Sequence, residues 1–180
     1  MELKKAIEQR RSIRQFKIDN VSDDSISELL ESARLSQSAK NRQPWIFGVL
    51  KGKRKDYVAD LMINWCDTTS ENIGTVRATA NAIKEASVLI VVFREPNNSW
   101  KKGDLLSIGS AIQHICLRAT DLGLGSLWIR DTYCVDKEIC KSLGQNHLEL
   151  VSTVAVGYPS QNPKLRPRKT MKEMVVFYDK

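Results

Sequence analysis

The stretch "SVLIVVF", residues 87–93, is apolar at every position after its serine and rich in β-branched side chains. A strand with one wet face alternates polar and apolar residues. An unbroken run of this length reads instead as a central strand covered on both faces. The covers are sought in the flanking segments. Residues 103–123, "GDLLSIGSAIQHICLRATDLG", are apolar nearly all round and predict a core helix stopped by Gly123. Upstream, Ser22 predicts an N-cap, with Asp23 and Asp24 in the first turn and Ile26, Leu29, Leu30 and Ala33 continuing the helix to about Leu35. "KRKDYVADLMINWC" (53–66) and, more weakly, residues 70–85 predict two further helices, and Val135–Leu143 a small one.

"WIFGVL" (45–50), "GSLWI" (125–129), "ELVSTVAVGY" (149–158) and "EMVVFY" (173–178) read as further strands. In "MELKKAIEQRR" (1–11), Leu3, Ala6 and Ile7 share one face of a short amphipathic helix, and "SIRQF" after it reads as a turn or an extended piece. Helices and strands mix without strict βαβ alternation. The expected class is therefore α+β, as a sandwich rather than a doubly wound sheet. One domain over 1–180 is the simplest division. The basic, Pro-rich tail from Pro159 to Met171 cannot build a core; it is expected to cross a surface, in this chain or a partner, before "EMVVFY" pairs with a sheet edge.

Composition removes several function classes. The chain of 180 residues carries a net charge of +7, with 28 basic and 21 acidic residues. The basic residues gather near the two ends, and no stripe of aromatics accompanies them, which argues against a nucleic-acid binder. The longest apolar run is too short to cross a bilayer, and the charged first ten residues lack the apolar core of a signal peptide. Cys66, Cys116, Cys134 and Cys140 form no C-x-x-C pair and read as reduced packing residues of a cytosolic protein. His114 and His147 show no metal-ligand spacing.

Four stretches carry chemistry. In "EQRRSIRQF" (8–16), an extended backbone after the first helix places Arg10, Ser12 and Arg14 on one side. Two guanidiniums and a hydroxyl suit a phosphate, although a solvated basic face uses the same residues. "QSAKNRQPW" (37–45) offers Ser38, Asn41 and Gln43 to the donors and acceptors of a planar heterocycle, or forms an ordinary loop before a strand. "LGLGSLWIR" (122–130) permits close backbone approach to a ligand without matching a dinucleotide fingerprint; it equally serves as a helix stop. "PKLRPRK" (163–169) holds bases on an extended chain.

Together, in this order, these stretches resemble the nitroreductase family of flavin-dependent oxidoreductases. "RRSIRQF" is similar to its R-R-S-x-R-x-F opening, and "SAKNRQPWIF" to S-A-x-N-x-Q-P-W-x-F. "IGSAIQHICLRATDLGLGSLWI" is similar to its core helix and G-L-G-S-x-W-I turn, and "VGYPSQNPKLRPRKTMKEMV" to its closing G-Y-P, basic tail and last strand. The resemblance implies a three-layer α/β/α sandwich with a mixed, mainly antiparallel sheet. It implies FMN held without covalent attachment between the subunits of an intertwined homodimer, with the tail from about 159 to 180 wrapping the partner.

The resemblance further implies that Arg10, Ser12 and Arg14 hold the phosphate and ribityl chain, with Arg11 adjacent and Arg168, and Arg166 beside it, joining from the tail. Ser38, Ala39, Asn41 and Gln43 would line the flavin from either subunit. The backbone of 125–130, including Ser126, Ile129 and Arg130, would face the ring. The implied reaction passes electrons from NADH or NADPH to nitroaromatics, quinones or similar acceptors in ping-pong fashion, with no obligate catalytic side chain. Flavin fragmentation, reductive dehalogenation and plain FMN binding share the fold, while a basic nucleic-acid module is the rival outside it. Two features depart from the pattern: Gln37 stands where proline is usual, and no asparagine–lysine pair for the flavin's pyrimidine edge occurs between 70 and 85. Arg130 is the candidate to replace that pair.

Overall fold

A computed structural model describes residues 2–69, 74–96 and 99–178. The helices are α1 (Leu3–Gln9), α2 (Asp23–Arg34), α3 (Gly52–Thr68), α4 (Gly74–Glu85), α5 (Lys101–Asp121), α6 (Asp136–Ser142) and α7 (Met171–Met174). The strands are β1 (Ile46–Lys51), β2 (Val88–Arg94), β3 (Gly125–Ile129) and β4 (Glu149–Gly157). They form one sheet in the order β1-β2-β4-β3, with all three pairings antiparallel. The parallel component is an isolated bridge between Ser12 and Ser126.

β2 is buried along its whole length, as the apolar run predicts. Its alternate side chains feed two cores. Val88, Ile90 and Val92 pack with Ile26, Leu29 and Ala33 of α2 and with Ile108, Ile112 and Ile115 of α5. Leu89, Val91 and Phe93 pack with Val58 and Met62 of α3, Ala80 and Ile83 of α4, and Ile139 of α6. The result is the expected three-layer sandwich. Ser22 caps α2 as predicted, its hydroxyl accepting from the Ser25 N–H at 3.1 Å. Residues 70–73 of the predicted 70–85 helix lie outside the described residues. Among the described residues no helix is long and apolar enough to cross a membrane.

Two expectations need correcting. "EMVVFY" is not a strand paired within this chain: the segment is α7 followed by extended backbone, and Val176, Phe177 and Tyr178 are exposed. The helix begins there because Thr170 and Glu173 form a reciprocal capping box, which holds the first turn. In α1, only Ala6 of the predicted apolar face is buried; Leu3 and Ile7 remain exposed.

The layer under β1 and β2 is locked by a buried lysine. Lys55 of α3 is 4 % exposed. Its ammonium donates to the Ile83 and Lys84 carbonyls at 2.9 and 2.8 Å and to Asp56 Oδ1 at 2.6 Å. Those carbonyls lie in the last turn of α4, where a cation also meets the negative end of the helix dipole. Lys55→Ala strands them and is expected to lower stability by about 1.5–3 kcal/mol, read as a drop in the urea midpoint at unchanged slope.

Candidate functional site

The N-terminal cluster is shaped by where its backbone goes. After α1 the chain runs extended, and the Ile13 N–H donates to the Ser126 carbonyl at 3.0 Å. Ile13 turns inward against Gly125, where a Cβ would come within 2.9 Å of it. Only glycine admits that approach, and it leaves Ser12 and Arg14 facing outward. Arg14 makes one long bond, at 3.4 Å to the Ser12 carbonyl, and pairs with no carboxylate among the described residues. Arg11 departs from the group: its guanidinium donates to the Glu8 and Arg10 carbonyls at 2.6 and 2.9 Å. It lines a separate cleft of about 660 Å³ with Gln9 and Gln161. Arg10 is half-buried and near enough to the buried Cys116 thiol to oppose the rise in its pKa that burial causes.

β3 is an edge strand, and the N-terminal segment pairs with it only at Ser126. In an antiparallel ladder the backbone groups of alternate residues face the same way. The Ser126 carbonyl faces away from β4, so the Trp128 N–H and C=O do too, onto an edge where no other strand sits among the described residues. That bare edge walls a cleft of about 390 Å³ whose lining includes Arg14, Thr75, Thr79, Trp128, Arg130 and Asp131. Asp131 Oδ2 accepts from the Thr79 hydroxyl at 3.1 Å. Arg130 is largely exposed, 3.8 Å from Asp131 and stacked over Tyr133 at 5.4 Å. Ile129 is buried and lines this cleft, whereas Ser126 is buried and lies outside its lining. Trp128, Thr79 and Asp131 were not singled out by sequence reasoning. The strand period of "GSLWIR" held the signal for Trp128; nothing local marks Thr79.

The 38–43 loop is strained. Lys40, Asn41 and Gln43 all have left-handed backbones, with φ of 52°, 53° and 48°. Such conformations cost non-glycine residues roughly 1–3 kcal/mol each, least for Asn, and persist only where the surroundings enforce them. The enforcing contacts are visible. The Ser38 hydroxyl accepts from the Gln43 N–H at 2.9 Å, and Ser107 accepts from the Ala39 N–H at 3.3 Å. Arg42 pairs with the buried Asp104 at 3.2 Å, and both Lys40 and Arg42 lie over the Trp100 ring. Ser38 and Ala39 line a cleft of about 370 Å³ with Leu106 and Ser110 of α5. This cleft shares no lining residue with the Arg14–Arg130 cleft. Within one chain the two predicted halves of the site therefore do not close on each other. Arg168 stands in the exposed tail with no hydrogen bond or ion pair among the described residues.

Burial works against thiolate formation at Cys116, Cys134 and Cys140. Cys134 donates to the Asp131 carbonyl at 3.1 Å, and burial pushes its pKa up to about 11. At pH 8 roughly one such thiol in a thousand is ionised, against a tenth or more of ordinary cysteines. Cys134 is expected to react with iodoacetamide at least about a hundredfold more slowly than free cysteine at that pH, by peptide mass spectrometry. Since the folded value is raised, the stability it contributes is full below the unfolded pKa and is lost as pH rises through about 11.

Comparison with known proteins agrees with this architecture. The profile of the Nitroreductase family matches residues 7–158. A Bacillus subtilis (strain 168) protein named "Putative NAD(P)H nitroreductase YfhC" is 26 % identical over 179 residues, covering 95 % of this chain and 91 % of the relative. The iodotyrosine deiodinase of Hydra vulgaris is 26 % identical, over 94 % of this chain and 70 % of that protein. A "putative nitroreductase in complex with fmn" from Desulfovibrio desulfuricans superposes with a TM-score of 0.81 at 26 % identity, over 99 % and 97 % of the two chains. The fold, the four motifs in order and the match across most of its length lead to one conclusion: this chain belongs to the nitroreductase family.

Proposed function

We propose that this chain is an FMN-dependent oxidoreductase that passes electrons from NAD(P)H to nitroaromatic, quinone or similar electron-poor acceptors, working as a homodimer. The observation that carries the reading is the Arg14–Arg130 cleft. It offers two cations with little carboxylate pairing beside a bare strand edge with an outward N–H. Cations without strong partners suit a phosphate and developing negative charge, and an outward amide suits a heterocyclic acceptor. The donor set thus fits FMN. When bound, FMN would accept hydride from the nicotinamide and pass reducing equivalents to the acceptor.

The chain's own residues would then divide the work. Arg14, with Arg10 and Ser12, holds the phosphate end, and Arg168 of the tail joins them on assembly. The Trp128 N–H addresses the ring, and Arg130 steadies negative charge at its pyrimidine edge. Ser38, Ala39, Asn41 and Gln43 supply the opposing wall from the second subunit, which the separation of the two clefts within one chain supports. The left-handed loop is pre-shaped for that role, so little ordering cost remains on binding. His114 Nδ1 lies 3.2 Å from the Ser32 carbonyl, a partner that accounts for it structurally; acceptor protonation falls to water.

Assembly is supported by apolar groups that one chain leaves bare: Leu3, Ile7 and Leu106, and Val176, Phe177 and Tyr178 of the tail. The free edge of β1 is a place for a partner's 175–178 segment to pair. The deiodinase relative favours a second reading, reductive dehalogenation at the same site. Anaerobic titration with NADH and NADPH, followed by addition of a nitroaromatic or of an iodinated phenol, distinguishes the two by product.

The purified protein should be yellow; a colourless protein that takes up no FMN refutes the reading. Arg14→Ala is expected to weaken FMN binding by about 1.5–3 kcal/mol, and an unchanged affinity contradicts the phosphate assignment. Removal of residues 163–180 should yield a dimer that dissociates at higher concentration and melts lower; identical mass and melting profiles exclude the wrapped tail.

A further inference from the structure

We infer that Ser152 is a positioning residue that sets the cofactor-facing edge of β3, acting through Trp128. The inference rests on reading that edge as the flavin wall. Ser152 lies on β4, outside the cleft lining, and is 6 % exposed. Its hydroxyl is used in both directions: it accepts from Trp128 Nε1–H at 2.8 Å and donates to the Ile129 carbonyl at 2.7 Å. One oxygen thus ties down the side chain of Trp128 and the carbonyl of the next residue. The peptide unit between those attachments is the one that follows the outward N–H.

Two further observations bear on the role. Trp128 is 45 % exposed, yet its indole N–H is spent on a buried serine, so the part of the ring left in the open is carbon. Its far corner rests on α5 at Gly109, where a Cβ would stand 3.8 Å away. The ladder between β2 and β4 also breaks register here: Val92 pairs with Ser152, but Phe93 pairs with Leu150. The extra residue, Val151, is a bulge directly before Ser152. Bulges re-aim the side chains that follow them, and this one delivers a hydroxyl across to β3 just where its pairing ends at Ile129 and Thr153.

The first test uses the unmodified protein without flavin. In 1H–15N spectra the Trp128 indole signal is assigned by its absence in Trp128→Phe. It should exchange with water slowly for so exposed a ring, and at least tenfold faster in Ser152→Ala. FMN titration should show Kd raised about five- to tenfold in Ser152→Ala and within twofold of the parent in Ser152→Thr, which keeps the hydroxyl. In a Trp128→Phe background, Ser152→Ala should add less than a further twofold, because the two act as one unit. A parent indole that exchanges as fast as an unbonded one overturns the inference, whether or not the variants fold. So do losses that multiply across the two substitutions. A protected indole in a parent that binds no FMN overturns the flavin reading of the edge and leaves the serine–indole link standing.

Discussion

Burial of both faces of β2 is the constraint from which the remaining architecture follows. A strand with Val88, Ile90 and Val92 on one side and Leu89, Val91 and Phe93 on the other cannot lie at a surface. It needs a strand on each flank to satisfy its backbone and a helical layer on each face to exclude water. β1 and β4 take the flanks, α2 and α5 one face, and α3, α4 and α6 the other. β3 is then left at an edge, and the N-terminal segment covers that edge only at Ser126. The bare backbone at Trp128 is a product of this arrangement, and it is where the cleft forms.

Order at the candidate site is bought from the core. The left-handed backbones at Lys40, Asn41 and Gln43 are held by contacts that lead inward, through Arg42 to Asp104 and so toward the fully buried Arg94. For the separate Arg14–Arg130 cleft, Lys55 fixes the C-terminal end of α4 while the N-terminal end of that helix lines the cleft. Ser152 plays the corresponding part for β3. In each cleft a polar group outside the lining thus anchors an element that lines it, which gives the cleft a defined shape.

Most elements were legible because their signals are local. Ser22 with Asp23 and Asp24 announces α2, the unbroken run announces β2, and the glycine after Leu122 ends α5. The segment 173–178 misled because β-branched and aromatic residues read as a strand wherever they occur, whereas a strand exists only where another edge accepts its hydrogen bonds. The amphipathic pattern of α1 was likewise correct in sequence but finds cover in one chain only at Ala6. At the site, Arg14 and Arg130 were legible as charges. Their sharing of one cleft, the withdrawal of Arg11 to cap α1, and the spending of the Ser38 hydroxyl on Gln43 were not.

The amino-acid order by itself determined the layer class, the positions of most helices and strands, and the family, because period, capping and motif spacing are properties of neighbouring residues. Only the tertiary structure decided which backbone edge stays unpaired, which clefts remain apart, and which serine aims Trp128. Those outcomes depend on pairings between residues far apart in the chain, such as Ser12 with Ser126 and Trp128 with Ser152, which no local pattern encodes.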